Sequence, residues 1–120
     1  MAEELPELLV PTAEEWASWL AAHHASETGV RLVVAKKGFI EPTSVTYTAA
    51  VEEALCYGWI DSVIGRRDER TYFVRFSPRR PKSSWTAGNI ELAERLRAEG
   101  RMQPAGADAF ARGLSQKAAQ

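Results

Sequence analysis

The chain has 120 residues, 45% of them hydrophobic and 26% charged, with a formal net charge of −1. That length fits one globular domain, able to build a core without metal or disulfide staples. No apolar run approaches the roughly 18 residues that cross a bilayer, the acidic start Met1-Ala2-Glu3-Glu4 lacks the basic and apolar regions of a signal peptide, and the one cysteine, Cys56, excludes an internal disulfide, so a reducing cytoplasm is the expected location.

The elements follow from local signals. Pro6 and Pro11 interrupt residues 1–11, which read as an extended lead-in. Thr12-Ala13-Glu14-Glu15 has the form of a capping box. Trp16, Trp19, Leu20 and His23 follow at helical spacing, predicting an amphipathic helix over 13–25. Residues 30–35 (Val-Arg-Leu-Val-Val-Ala) read as a strand mostly buried on both faces. A second helix begins near Thr46 or Thr48, with Thr48 as the N-cap and Glu52 and Glu53 towards its positive end. Gly58 suits the left-handed residue that closes it.

Two strands then start at Trp59 and Thr71, joined by Arg67-Asp68-Glu69-Arg70 as a hairpin. Alternation places Tyr72, Val74 and Phe76 on one face, and Phe73 and Arg75 on the other. Pro78 and Pro81 stiffen the loop after the hairpin. Ser84, or Ser83, caps a third helix running to about Glu99. Gly100 ends it, Pro104 opens a short helix over 105–112, and residues 113–120 form a frayed tail. The order α-β-α-β-β-α-α predicts a single α+β domain with a small, mainly antiparallel sheet packed against helices.

The small net charge conceals a segregation. Residues 1–62 hold three basic and ten acidic residues, a balance of −7; residues 66–82 hold seven basic against two acidic, +5; residues 83–120 hold five against four, +1. The acidic front opposes uniform attraction to nucleic acid or membrane. The basic middle argues for one local anion-binding face, unless its arginines pair within the domain.

Few residues offer chemistry. His23 and His24 are adjacent, so on a helix they point about 100° apart and cannot chelate one ion together. One cysteine makes no thiolate cluster. Cys56 sits between Leu55 and Tyr57, where a cysteine acts as a small buried hydrophobe. No metal site, cofactor site or catalytic residue is therefore assigned. Asp61 follows Trp59 and Ile60 into a strand, so it needs a partner, for which Arg75 and Arg79 are the candidates. It either fixes the Gly58 corner or serves as a pocket acid.

The segment from Ser77 to Trp85 is the strongest site candidate. Arg79, Arg80 and Lys82 precede a helix N-terminus, where cations and free N–H groups favour anions. Trp59 and Trp85 offer stacking surfaces, and Asn89 lies one turn beyond Trp85.

The segments Glu53-Ala-Leu-Cys-Tyr-Gly-Trp-Ile-Asp61, Phe76-Ser-Pro-Arg79, Ser84-Trp85 with Asn89, Gly100-Arg-Met102 and Ala105-Gly106 resemble the YdeI/OmpD-associated family of bacteriocin-protection proteins. Trp16-x-x-Trp19-Leu20 and Lys36-Lys37 are similar to its front end. The resemblance spans about residues 12–108. It implies a YjbR/CyaY-like α+β fold and a cytoplasmic bacterial protein, without assigned catalytic residues. It points to Lys37, Trp59, Asp61, Arg79, Ser84, Trp85 and Asn89 as motif positions. The similarity of that fold to frataxin-like proteins raises iron binding by analogy alone, which the scattered acidic residues here do not support.

Three functions follow as expectations. The first is a non-catalytic binding or stress-protection protein that captures an anionic or aromatic ligand at the Arg79–Trp85 corner, with Arg79 and Arg80 open to the guest. The second is a nucleic-acid-binding module that uses the basic segment 66–82 with Trp85 stacking. The third is a small enzyme with Asp61 as acid or base and an arginine holding a substrate anion. No membrane insertion is expected, and oligomeric state is not legible.

Overall fold

The structure, a computed structural model, describes residues 5–80, 82 and 84–118. Pro81, expected to stiffen the loop, Ser83, the alternative cap, and the acidic start at 1–4 lie outside the described residues. The elements run β1 (Glu7–Leu8), α1 (Ala13–His23), β2 (Val30–Ala35), α2 (Tyr47–Cys56), β3 (Trp59–Arg66), β4 (Thr71–Pro78), α3 (Ala87–Ala98) and α4 (Pro104–Ala118). The four strands form one mixed sheet in the order β1-β2-β4-β3, so the domain is α+β, as the pattern predicts.

The addition to the predicted order is β1. It pairs parallel with β2, Glu7 opposite Arg31 and Leu8 opposite Leu32. Two residues between prolines carry no periodicity, so the strand exists only because β2 accepts it. Arg31 secures it, donating its backbone N–H to the Pro6 carbonyl and its Nε to the Leu5 carbonyl, both at 2.8 Å.

Thr12 caps α1, its hydroxyl accepting from the Glu15 N–H at 3.2 Å. The helix turns Trp16 and Leu20 fully inward. Burying an indole N–H unpaired would be costly, and Trp16 donates its own to the Ala50 carbonyl at 3.1 Å. This bond ties α1 to α2. The β2 side chains Leu32, Val33 and Val34 are fully buried, as expected of a strand covered on both faces.

Thr46, not Thr48, caps α2, accepting from the Ala49 N–H at 3.2 Å. The earlier start moves Glu52 and Glu53 away from the positive end of the helix. They instead meet arginines from elsewhere in the chain: Glu52 binds Arg95 at 2.8 Å and Arg101 at 3.1 Å, and Glu53 binds Arg101 at 3.3 Å. Gly58 has φ +77°, as its position suggested.

The β3–β4 hairpin has the predicted connection at 67–70. A register shift between Asp61 and Ile64 bends β3, and β3 is an edge strand. Val74 and Phe76 are fully buried towards the helices while Arg75 is exposed, as alternation requires.

Thr86, rather than Ser84, caps α3. Its hydroxyl accepts from the Asn89 N–H at 3.1 Å and Asn89 Oδ1 accepts from the Thr86 N–H at 3.4 Å, completing a capping box. The last helix is the largest departure. Where a short helix and a frayed tail were expected, α4 continues to Ala118. Trp85 accounts for the extension, because α4 packs its Gly113 against the indole and Lys117 Nζ donates to the Trp85 carbonyl at 3.3 Å.

The core has two parts. Trp16, Leu20, Leu32, Val34, Trp59, Val74 and Phe76 fill the space between sheet, α1 and α2. Leu55, Cys56, Trp85, Ala93, Leu96 and Phe110 pack between α2, α3 and α4. Helix α2 serves both, giving Ala50 and Ala54 to the first and Leu55 and Cys56 to the second.

Candidate functional site

The chain leaves β4 at Pro78, and Arg79 donates its backbone N–H to the Gly58 carbonyl at 2.9 Å. This bond fastens the start of the 79–86 loop to the α2–β3 turn. The Arg79 side chain turns inward and is only 7% exposed. Its guanidinium lies 4.0 Å from the Trp85 ring centroid, and Nη1 donates to the Ser84 carbonyl at 2.9 Å. Burial lowers its pKa from the usual arginine value, opposed by the nearby Asp61 carboxylate. Arg79 is thus a fastener for the loop rather than an open hand for a guest. Sequence alternation could not show this, because the residue lies beyond the strand.

Asp61 is half-buried and shares the helix-facing side of the sheet with Phe76, its partner in register. It accepts a hydrogen bond from the Tyr47 hydroxyl. Burial and this bond push the Tyr47 pKa up to about 12. Of the two arginines expected near Asp61, Arg79 is the one that acts on it. Arg75 is excluded because it points to the opposite face. The Tyr47–Asp61 bond pins the first turn of α2 to the start of β3. Tyr47 carried no signal in the sequence beyond being an aromatic at a helix start.

The other predicted residues separate. Trp59 is 2% exposed; its Nε1 donates to the His24 carbonyl at 3.3 Å and its ring meets Trp19 edge-on at 5.8 Å. It belongs to the sheet core, whereas Trp85 belongs to the α3–α4 core and packs on Phe110 at 5.5 Å. Asn89 is committed to the capping box. Ser84 is exposed and contributes its carbonyl to Arg79. Arg80 and Lys82 are exposed and make no ion pair among the described residues. Lys37 is exposed in the loop beyond Ala35, which pairs with Thr71 at the far end of β4. The seven residue steps from Thr71 to Pro78 set it roughly 23 Å from the Arg79 corner.

The basic segment is likewise divided. Arg67 is paired with Glu7 at 3.1 Å and Asp68 at 2.9 Å. Arg66 and Arg70 stand at the hairpin end of β4, and Arg80 and Lys82 at the other end.

Reactive groups are muted. Cys56 is 2% exposed, and burial, followed by the charge of Glu53, pushes its thiol pKa up to about 11. The His24 ring donates from Nδ1 to the Leu20 carbonyl at 2.8 Å and packs on Tyr57 at 4.9 Å. Among the described residues no group of three or more His, Cys, Asp or Glu side chains is placed to hold a metal ion, and no helix is long and apolar enough to cross a membrane.

These features define a class: an α+β domain with one mixed sheet, backed by two helical layers and carrying a basic loop clamped by a buried arginine. Residues 8–109 match the family model described as a domain of unknown function (DUF8412), and the chain belongs to that family. No curated protein and no solved structure matches the chain.

Proposed function

We propose that the protein is a non-catalytic binding protein that captures an anionic ligand on the 80–84 loop, in a protective role of the kind its resemblance to the bacteriocin-protection proteins implies. One observation carries the reading. Arg80 and Lys82 project into solvent without a carboxylate partner among the described residues, while Arg79 and Trp85 hold the loop that presents them. The raised Cys56 thiol and the Tyr47-bound Asp61 favour capture over catalysis. A cytoplasmic location accords with one buried, unoxidised thiol.

The test removes the two solvent-facing cations. In a thermal-shift screen at low salt with nucleoside triphosphates and inorganic polyphosphate, a bound anion raises Tm. Arg80→Ala with Lys82→Ala should abolish that rise and leave the ligand-free Tm unchanged. A rise that survives this double substitution rules the loop out as the site. Single-stranded DNA and tRNA in the same screen address nucleic-acid binding, whose affinity must fall steeply with salt.

A further inference from the structure

The end of the sheet opposite the Arg79 corner carries a second surface. Residues 36–42 are all exposed. The loop is nevertheless anchored on both sides. The Lys36 N–H donates to the Arg70 carbonyl at 2.9 Å and the Phe39 N–H to the Lys36 carbonyl at 3.1 Å. Beyond it, Thr43 is fully buried; its hydroxyl donates to the Val10 carbonyl at 2.6 Å and accepts from the Val45 N–H at 3.1 Å. The anchored loop holds two adjacent apolar side chains in water, Phe39 at 40% exposure and Ile40 at 72%.

Cations share this end of the sheet. Lys36 and Lys37 come from the same loop, and Arg66 and Arg70 from the neighbouring hairpin, where the Arg70 guanidinium lies 5.7 Å from the Phe39 ring centroid. None of these four has a carboxylate partner among the described residues. Asp68, the acid nearest to them in the hairpin, is bound to Arg67, Thr71 and the Arg70 backbone. The exposed acids left at this end are Glu41 and Glu69.

We propose that this tip docks the protein on an anionic lipid surface, with Phe39 and Ile40 entering the headgroup boundary and the four cations remaining among the phosphates. Apolar side chains gain by leaving water, long basic side chains keep their charge at the interface, and the two effects together make surface attachment reversible. The charge argues against a second copy of the chain, whose own tip would repel this one. It is the aliphatic Ile40, the most exposed of the group, that argues against nucleic acid, because it offers no ring on which a base can stack. This surface is independent of the Arg80–Lys82 loop.

Co-sedimentation of the full chain with vesicles tests the proposal. Binding is expected to phosphatidylcholine vesicles containing phosphatidylglycerol, and not to pure phosphatidylcholine. Lys36→Gln with Lys37→Gln should weaken it about 30-fold, each charge contributing roughly a fivefold effect. Ile40→Asp should weaken it at least about tenfold, while Arg112→Ala, on α4, leaves it unchanged. All substituted side chains are exposed, and an unaltered Tm confirms that the variants fold. Failure to bind anionic vesicles overturns the proposal, as does binding that Ile40→Asp leaves intact. Retention of a single-stranded oligonucleotide that depends on the lysines but not on Ile40 would assign the tip to nucleic acid and overturn it equally.

Discussion

The Arg79 guanidinium sits 4.0 Å from the Trp85 ring centroid, with 7% of the residue exposed. In the sequence it is the first of three cations before a helix. In the fold it is a buried plank under Trp85, joined to the Ser84 carbonyl and close to Asp61. A desolvated cation–π contact contributes up to about 2 kcal/mol, and a charged hydrogen bond about 1.5–3 kcal/mol before the cost of burying the charge is subtracted. Arg79→Ala should therefore destabilise by about 2–4 kcal/mol, seen as a lowered urea midpoint, whereas Arg80→Ala should leave that midpoint in place. Equal midpoints for the two variants would contradict the buried geometry. Cys56 gives a second prediction at this scale. With its thiol pushed up to about 11 and 2% exposed, it should resist iodoacetamide at pH 8 in the native protein and react once denatured. Rapid labelling of the folded chain would show that Cys56 is accessible.

At the scale of elements, α4 repeats the lesson through packing. Gly106 faces α2 so closely that a Cβ would stand 2.2 Å from the Cys56 carbonyl oxygen. Two opposed effects compete at this position. Alanine is the better helix former by about 1 kcal/mol. Overpacking against a fixed backbone costs typically 1–3 kcal/mol, and this contact is with backbone atoms that cannot rotate away. The clash should win, so Gly106→Ala should lower Tm. A stabilised variant would mean that α4 sits further from α2. Helix α3 depends on its capping box, and Thr86→Ala should cost about 1 kcal/mol, whereas Ser84→Ala should cost almost nothing. Thermal unfolding of the pair distinguishes the cap that is used from the one the sequence suggested.

Across the whole molecule, the charge segregation is partly consumed and partly displayed. Glu52 and Glu53 clamp α2 to Arg95 of α3 and to Arg101 in the turn before α4. Burial acts to raise the pKa of Glu52, but Arg95 and Arg101 outweigh it and hold it below the ordinary 4.5. A carboxyl depressed on folding contributes stability that is complete above its unfolded pKa and is lost as pH falls through the folded one. Glu53 behaves oppositely. Burial, and secondarily its neighbour Glu52, raise it despite the attraction of Arg101, so its ionisation on the way to neutral pH opposes folding. Glu52→Gln should therefore destabilise at pH 7, and progressively less as pH falls from 4.5 through the depressed folded pKa towards about pH 3. Glu53→Gln should cost less at pH 7 than Glu52→Gln does. Denaturant titrations at both pH values check the signs, and a pH-independent cost for Glu52→Gln would show that the clamp is not electrostatic.

Local signals along the chain suffice to specify the α+β class, the capped start of α1, the doubly buried β2, the hairpin with its 67–70 connection and the left-handed Gly58. Each of these is written in signals within a few residues of one another, in side-chain alternation, caps and turn chemistry, and local physics suffices to read them. Packing alone makes Glu7–Leu8 a strand, carries α4 to Ala118, brings the Tyr47 hydroxyl to Asp61, and turns Arg79 under Trp85 while Lys37 lies at the far end of the sheet. The strand, the helix extension and the Tyr47 bond depend on partners 14 to 32 residues away in sequence, as for Tyr47–Asp61 and Trp85–Lys117, and the nearer Arg79–Trp85 contact forms in a stretch with no periodicity to announce it. A cation before a helix looks the same in the chain whether it faces water or an indole, and burial, which distinguishes the two, belongs to the packed whole.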